Sequence, residues 1–183
     1  MMNITIKEEN MRYTKTVFGF LLLVLTCLSV SAMAADGEPR KIDTFGDWTA
    51  YVMIEDGNKV CYMASQPKKH EGNYTRRGDI FALITHRPAE GTKNVFSYIA
   101  GYPYKAGSDA RLKIGNDRYT LFTQDETAWA PDAATDNKIT DSIRKGSSMV
   151  VTGSSSRGTL TTDTYSLSGS SSAYEAISKE CGI

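Results

Sequence analysis

Short runs of alternating apolar and polar residues, each closed by a turn signal, recur along most of this chain. The first covers residues 48–54, and the turn residues 56–58 lead from it into a second run at residues 60–65. Side chains alternate between the two faces of a strand, so this pattern predicts a half-buried antiparallel hairpin. Further strands are predicted at residues 79–85, 95–101, 110–114, 118–122 and 149–153, and within the stretch 154–167 after Gly158.

Helical signals occur at only two places. Asp132 is placed to cap a short, shallowly buried helix that ends before Gly146, and Ser172 with Glu175 has the spacing of a capping box for a C-terminal helix. Many short strands with two helices predict a mainly β protein, an antiparallel β-sandwich, with a barrel as the alternative. The apolar run at residues 80–84 predicts a central strand covered on both faces.

The N-terminal residues have the pattern of a secretory signal peptide. Arg12 and Lys15 precede an apolar run at residues 17–25, and the small residues Ala32 and Ala34 predict cleavage after Ala34, so that residues 1–34 are removed. Met11 is an alternative start, because a signal beginning there has the usual short basic segment. The sequence therefore predicts an exported, periplasmic protein that does not span the membrane.

The predicted mature chain consists of a loose leader at residues 35–44 and one domain at residues 45–183. Three of the 21 basic and two of the 21 acidic side chains lie in the signal peptide, which leaves a net charge of −1. Such a balance gives no overall attraction to nucleic acid, and no nucleic-acid partner is expected.

Two cysteines, Cys61 and Cys181, remain after removal of the signal peptide. In an exported protein they are expected to form a disulfide that ties the C-terminus to an early strand. The competing interpretation is a metal site, but only His70 and His86 could add imidazole ligands, and neither has a zinc-type spacing. No metal and no cofactor is predicted.

Residues 154–167 form a β-prone stretch that is rich in hydroxyl groups. Tyr165 and Leu167 are predicted to face the core, with Thr162 and Thr164 facing water. Arg157 is expected at the turn before this strand, where it could reach a carboxylate, and Asp163 is the nearest in sequence. Arg157, Asp163 and Tyr165 could build a polar binding site or could be cross-strand pairs that fix the register.

Two further segments are candidates for partner contact. The basic loop at residues 68–77 could hold an anionic partner, although a solvated loop is the simpler interpretation. Trp129 precedes the first helix and is either a core residue, which is favoured, or an exposed anchor. Trp129 therefore joins Arg157, Asp163 and Tyr165 as a candidate partner-binding residue.

Catalytic motifs give little support for an enzyme. Two serines have the S-x-x-K spacing, but the companion motifs of penicillin-recognising enzymes are absent from the sequence. Residues 153–158 have P-loop spacing, yet Thr159 stands where the lysine is required. No catalytic residue is predicted, and we expect a non-enzymatic protein that binds an envelope or host-surface protein. The alternative is a periplasmic hydrolase or small-ligand binder with a site near Arg157 and Tyr165.

Several motifs in this order resemble the invasion-associated locus B family of exported alphaproteobacterial proteins. They are F-G-D-W-T at residues 45–49, C-Y-M-A-S-Q at 61–66, A-W-A-P-D at 128–132, S-S-R-G-T at 155–159, T-D-T-Y-S-L-S-G at 162–169 and the terminal Cys181. The resemblance implies an immunoglobulin-like β-sandwich, a periplasmic or envelope location and a link to host-cell invasion, or virulence, in pathogens. It implies no catalytic residues.

Overall fold

The computed structural model describes residues 37–183, so the predicted signal peptide lies outside the described residues. Within this range no helix is long and apolar enough to cross a membrane. The strands are β1 (Arg40–Phe45), β2 (Trp48–Glu55), β3 (Asn58–Ser65), β4 (Lys69–Gly72), β5 (Phe81–Arg87), β6 (Thr92–Ile99), β7 (Ala110–Ile114), β8 (Asp117–Gln124), β9 (Thr127–Trp129), β10 (Ser148–Ser154) and β11 (Leu160–Ser166). The helices are α1 (Ala133–Lys145) and α2 (Ser170–Cys181), with one turn of 3-10 helix at Pro88–Glu90.

All of the described strands belong to one antiparallel sheet, in the order β1-β2-β3-β5-β6-β9-β8-β7-β10-β11-β4. Strand β8 belongs to both halves of the sheet, because its first residues pair with β7 and its last residues pair with β9. The sheet thereby folds into two layers. One layer contains β1, β2, β3, β5, β6 and β9, and the other contains β8, β7, β10, β11 and β4. The end strands β1 and β4 of the sheet do not pair with each other, so the predicted antiparallel β-sandwich is confirmed, the fold is consistent with an immunoglobulin-like one, and the barrel alternative is excluded.

The predicted hairpin at residues 48–65 is confirmed as β2 and β3. Asp56 and Gly57 form its turn with φ angles of 50° and 76°, a left-handed conformation that favours glycine and tolerates aspartate. The strands alternate as predicted, and the inward side chains include Trp48, which is fully buried and donates from Nε1 to the Ser166 carbonyl oxygen at 3.1 Å. This bond joins β2 of one layer to β11 of the other.

The first helix covers a free edge of β6. Asp132 caps it as predicted, accepting a hydrogen bond from the Thr135 backbone N at 2.7 Å. Strand β9 pairs only with the last residues of β6, and α1 meets the backbone beyond them: Asp136 accepts from Phe96 N at 2.8 Å, and Thr140 donates to the Asn94 carbonyl oxygen at 3.2 Å. Since Ile139 and Ile143 are fully buried, the prediction of a shallowly buried helix is wrong.

The second helix lies against β1, β2, β3 and β5 and buries Ala173 and Ile177. It starts earlier than predicted and has no side-chain cap, so the proposed capping box of Ser172 and Glu175 does not form. Gly169 precedes the helix at φ 85°, and a Cβ there would lie 1.9 Å from the Phe45 carbonyl oxygen. Only glycine allows the chain to pass this close to the end of β1.

The predicted disulfide between Cys61 and Cys181 is present, with the two Cα atoms 6.0 Å apart. It fastens the last turn of α2 to β3. His86, on β5 beside Cys61, is fully buried; its Nδ1 accepts from Asn94 N at 3.1 Å, and its Nε2 lies 3.2 Å from the Ser178 hydroxyl on α2. The disulfide and the buried histidine therefore both fasten the last helix to the sheet.

Three predictions about strands need correction. The loose leader at residues 35–44 is partly wrong, because Arg40–Phe45 forms the edge strand β1 on β2. The short strands β4 and β9 were not predicted. In β5 only alternate side chains are fully buried, so this strand is central in its layer but covered completely on one face only.

Candidate functional site

A buried ion pair between Arg77 and Asp163 stands at the centre of the candidate site. Arg77 follows β4 in the loop that leads to β5, and Asp163 lies in the middle of β11. Two parallel hydrogen bonds of 2.7 Å run from Nη1 and Nη2 of Arg77 to Oδ1 and Oδ2 of Asp163, and the side chains are 4% and 1% exposed. This bidentate arrangement is the geometry in which arginine binds a carboxylate most strongly.

The remaining hydrogen bonds of the pair join the two layers of the sandwich. Arg77 Nε donates to the Ala100 carbonyl oxygen at 2.7 Å, and Nη2 donates to the Tyr98 hydroxyl at 3.1 Å. Tyr98, on β6, in turn donates to Asp163. Burial raises the pKa of Tyr98 far above its ordinary value, so its hydroxyl stays protonated and remains a donor. Burial alone would lower the pKa of Arg77, but its bonds to Asp163 raise the pKa overall and keep the guanidinium charged.

Two tyrosine rings flank the buried guanidinium. Its central carbon lies 4.9 Å from the ring centroid of Tyr102 and 5.5 Å from that of Tyr74, within the range of a cation–π contact. The Tyr102 hydroxyl lies 2.6 Å from Thr161 Oγ1, which fixes the ring against β11. Arg77 therefore organises the surface above it while its own charge is neutralised by Asp163.

Above this network lies a cleft of about 670 Å³. Three segments wall it: the loop at residues 73–78, the loop at residues 101–103 and the turn at residues 155–159; Thr161 completes the lining. Arg76 and Arg157 are exposed on these walls, and neither forms an ion pair within residues 37–183. Among the lining residues in the described part of the chain there is no aspartate, glutamate or histidine.

The predicted residues of the 154–167 stretch divide between the cleft and the core. Arg157 lies at the turn before β11, as expected, and lines the cleft. The pairing of Arg157 with Asp163 is wrong, because Asp163 points inward and its partner is Arg77, 86 residues away. Tyr165 and Leu167 face the core as predicted, so Tyr165 is not a wall of the cleft. Thr162 and Thr164 lie on the opposite, half-buried face.

Trp129 lies apart from the cleft. It is half-buried on β9, where it pairs with Phe122 of β8, and Phe122 is 44% exposed. The core position favoured for Trp129 is therefore wrong, and the fully buried tryptophan is Trp48. Trp129 and Phe122 border a shallow depression on the outer face of the sheet.

The basic loop at residues 68–77 contains fewer available charges than its sequence suggests. Lys68 pairs with Asp47, whose pKa this contact lowers, and Lys69 pairs with Glu71 at 2.8 Å. Arg77 is buried against Asp163. Among these four cations only Arg76 has no ion-pair partner within the described range. If this loop binds an anion, Arg76 is therefore the one cation of the four that is available for it.

Sequence reasoning missed Arg77, Tyr98 and Tyr102 as members of the site. One signal for them was present: Asp163 shares the inward face of its strand with Tyr165, and a buried carboxylate requires a cation and hydrogen-bond donors. The sequence therefore indicated that Asp163 requires a partner but did not identify Arg77 as that partner. No grouping of three or more histidine, cysteine or acidic side chains suited to a metal ion occurs in the described part of the chain.

Comparison with known protein families identifies the family of this chain. A family model described as invasion associated locus B (IalB) protein matches residues 48–178. Neither a search of curated proteins nor a search of solved structures found a match. The family match spans most of the chain and contains the cleft, the buried ion pair and Cys61. This chain belongs to the invasion associated locus B family.

Proposed function

We propose that this member of the invasion associated locus B family is an exported, non-enzymatic binding protein whose ligand site is the cleft bordered by Arg157. The observation that carries the proposal is the concave shape of this surface, with a volume typical of ligand sites. A concave site favours a small ligand, or a protruding group of a larger partner, over the docking of a flat protein surface.

The chemistry of the lining supports binding rather than catalysis. Ser155, Ser156, Thr159 and Thr161 supply hydroxyl groups, but the described residues that line the cleft include no carboxylate or imidazole to take a proton from them. The Ser155 hydroxyl already accepts a hydrogen bond from Thr159 N at 3.1 Å. Asp163, the carboxylate beneath the cleft, is occupied by Arg77. The hydrolase alternative therefore lacks a base in this arrangement.

The proposed location is the periplasm or the envelope. The disulfide fits an extracytoplasmic protein, because such bonds persist in oxidising compartments, and the N-terminal sequence has the pattern of a signal peptide. A link to host-cell invasion is part of the proposal and rests on family membership alone. Fractionation of cells that express the full chain, followed by mass determination, tests the compartment and the cleavage site together.

A pair of tryptophan substitutions tests the cleft as the binding site. Ser156→Trp places a large ring on the exposed turn that walls the cleft, and Asn116→Trp places the same ring on an exposed turn away from it. Each disulfide-bonded protein is incubated with envelope extract, re-isolated and weighed by native mass spectrometry. We expect a bound small molecule with the wild type and with Asn116→Trp, and its loss with Ser156→Trp.

Two outcomes count against the proposal. Equal retention of the bound molecule by both variants would remove the cleft as the site. Turnover of a substrate that is lost with Ser156→Trp would replace the binding role with the hydrolase alternative.

A further inference from the structure

We infer that the cleft selects a saccharide that carries a phosphate or sulfate group, bound between Arg76 and Arg157. This inference rests on the proposed function, since it names the chemistry of the ligand for the same cleft. It follows from three features of the walls: their charge, their hydrogen-bonding groups and the buried pair beneath them.

The lining of the cleft carries a net positive charge. Arg76 enters from the loop after β4, and Arg157 enters from the turn between β10 and β11, so that two separate segments bring their guanidinium groups to one concave surface. No acidic side chain is among the described lining residues, and neither arginine has an ion-pair partner within residues 37–183. A cleft walled by charges of one sign concentrates its field inward and attracts the opposite charge.

Arg77 does not add to this positive charge. It is the third arginine of the lining, but both of its terminal nitrogens bind the Asp163 carboxylate, and its side chain is 4% exposed. Arg77 is therefore a positioning residue: its guanidinium contacts the rings of Tyr74 and Tyr102, and its hydrogen bonds fix the loop that carries Arg76. The anion has two arginines available to it.

The uncharged part of the lining is suited to a sugar. It offers a carboxamide from Asn73 and hydroxyl groups from Thr75, Ser156 and Thr159, distributed over both walls. The rings of Tyr74 and Tyr102 also line the cleft and supply apolar surface for a sugar ring to contact. Guanidinium groups bind phosphate and sulfate through paired hydrogen bonds, which gives them a geometric preference for such groups.

Three sugars that differ in one substituent test the inference. The probes are N-acetylglucosamine, the same sugar with phosphate on its primary hydroxyl, and the same sugar with sulfate there, each titrated into the disulfide-bonded protein and followed by calorimetry and by amide chemical shifts. We expect the two anionic sugars to bind at least about tenfold more tightly than the neutral one, the factor expected for a charge-assisted hydrogen bond. Amide shifts should concentrate in residues 73–78 and 155–159.

The variants Arg76→Ala and Arg157→Ala should each weaken binding of the preferred anionic sugar about tenfold and leave the thermal midpoint unchanged, since both side chains are exposed. Arg118→Ala is the matched control. It removes another exposed arginine, near the start of β8 and outside the cleft, and should leave binding intact. The ratio of phosphate to sulfate affinity distinguishes a phosphorylated envelope sugar from a sulfated host glycan as the source of the ligand.

Neutral and anionic sugars that bind equally would overturn the inference while leaving the cleft as a sugar site. Failure of all three sugars, with Ser156→Trp still abolishing capture of a molecule from envelope extract, would overturn the inference and leave the proposed function standing. Equal losses in Arg76→Ala, Arg157→Ala and Arg118→Ala would show general charge attraction only and would also overturn it.

Discussion

Two regions hold the sandwich together: the helical region, where α1 and α2 pack on the sheet, and the cleft region around the buried ion pair. The first uses a covalent bond, and the second uses an ion pair. At the helical region, the disulfide between Cys61 and Cys181 joins residues 120 apart in the sequence. At the cleft, the ion pair of Arg77 and Asp163 joins residues 86 apart. Strand β5 connects the regions: it begins soon after Arg77 and reaches His86, which lies beside the disulfide. Each region fastens a late segment of the chain to an early one.

The difference follows from what each region must leave open. In the helical region, apolar side chains of α1 and α2 fill the interior. The disulfide there leaves no room for solvent and needs none. Under the proposed function the cleft region must keep a concave surface free, and the group that closes it, the Arg77–Asp163 pair, lies beneath that surface and is polar. A buried ion pair holds geometry firmly but has a large desolvation cost if either partner is lost. The cleft is therefore the region more sensitive to substitution, and the helical region the more sensitive to reduction.

The largest effect is expected from breaking the buried pair. Asp163→Ala leaves the Arg77 guanidinium buried without its carboxylate, and we expect a loss of about 3 to 5 kcal/mol in the free energy of unfolding. Urea denaturation followed by circular dichroism measures it. The double variant Arg77→Met with Asp163→Leu removes both charges and should recover much of this loss. A loss below about 1 kcal/mol in the single variant would contradict the assignment of a dry, mutually dependent pair.

Removal of the disulfide comes next. Cys61→Ser should cost about 2 to 4 kcal/mol, because the unfolded chain loses a constraint on a loop of more than a hundred residues. Cys181→Ser is the matched control, since it removes the same bond from the half-buried partner, and its loss should be similar. A reducing agent should lower the stability of the wild type and leave both variants unchanged. Two free thiols in non-reduced protein, found by mass spectrometry, would contradict the bond and weaken the case for export.

Acid should loosen the helical region through His86. Burial lowers the pKa of His86 in the folded protein below its ordinary value of about 6.5. Between the two pKa values the unfolded chain binds more protons, so the stability is complete above about pH 6.5 and falls as the pH falls toward the folded pKa, by about 1.4 kcal/mol for each unit between them.

Urea titrations of His86→Gln at pH 7.5 and 5.5 check this dependence, which the substitution should abolish. His70→Gln, which removes the exposed histidine, should preserve it. A wild type whose stability is independent of pH over this range would contradict the buried position of His86.

The smallest effect is expected from an ion pair in water. Arg87 lies at the end of β5 and pairs with Glu55 at 2.6 Å, but the two side chains are 33% and 43% exposed. Arg87→Ala should change the free energy of unfolding by no more than about 1 kcal/mol. Measured beside Asp163→Ala under the same conditions, it compares an exposed arginine–carboxylate contact with a buried, bidentate one of almost the same length. Equal losses in the two variants would show that burial is not the deciding factor.

Local patterns were sufficient for most of the strands. Alternation and turn chemistry placed β2 and β3 with their Asp56 and Gly57 turn, and β7 within its observed bounds. They failed for β4 and β9, which have four and three residues. Such short strands carry too little alternation to be recognised, and they exist because distant strands offer them a partner edge.

The candidate site depended still more on distant contacts. The faces of β11 were predictable because period-two alternation fixes which side chains point the same way, and Tyr165 pointed inward accordingly. The partner of Asp163 was not predictable, since proximity in sequence favoured Arg157. The pairing of β4 with β11 instead brings the loop of Arg77 over the buried carboxylate. A requirement for a partner is local information, whereas the identity of the partner follows from topology.

The sheet is open, with β1 and β4 at its two edges, and this affects how copies of the protein associate. Its terminal strands β1 and β4 each leave one row of backbone donors and acceptors unpaired with any other described strand, which is the structure that incoming strands extend during aggregation. Both strands are short, and most of their exposed side chains are charged: Arg40, Lys41 and Asp43 on the first, Lys69 and Glu71 on the other. An added strand would have to strip water from these charges. Charged, short edges of this kind oppose edge-to-edge association of copies of the protein.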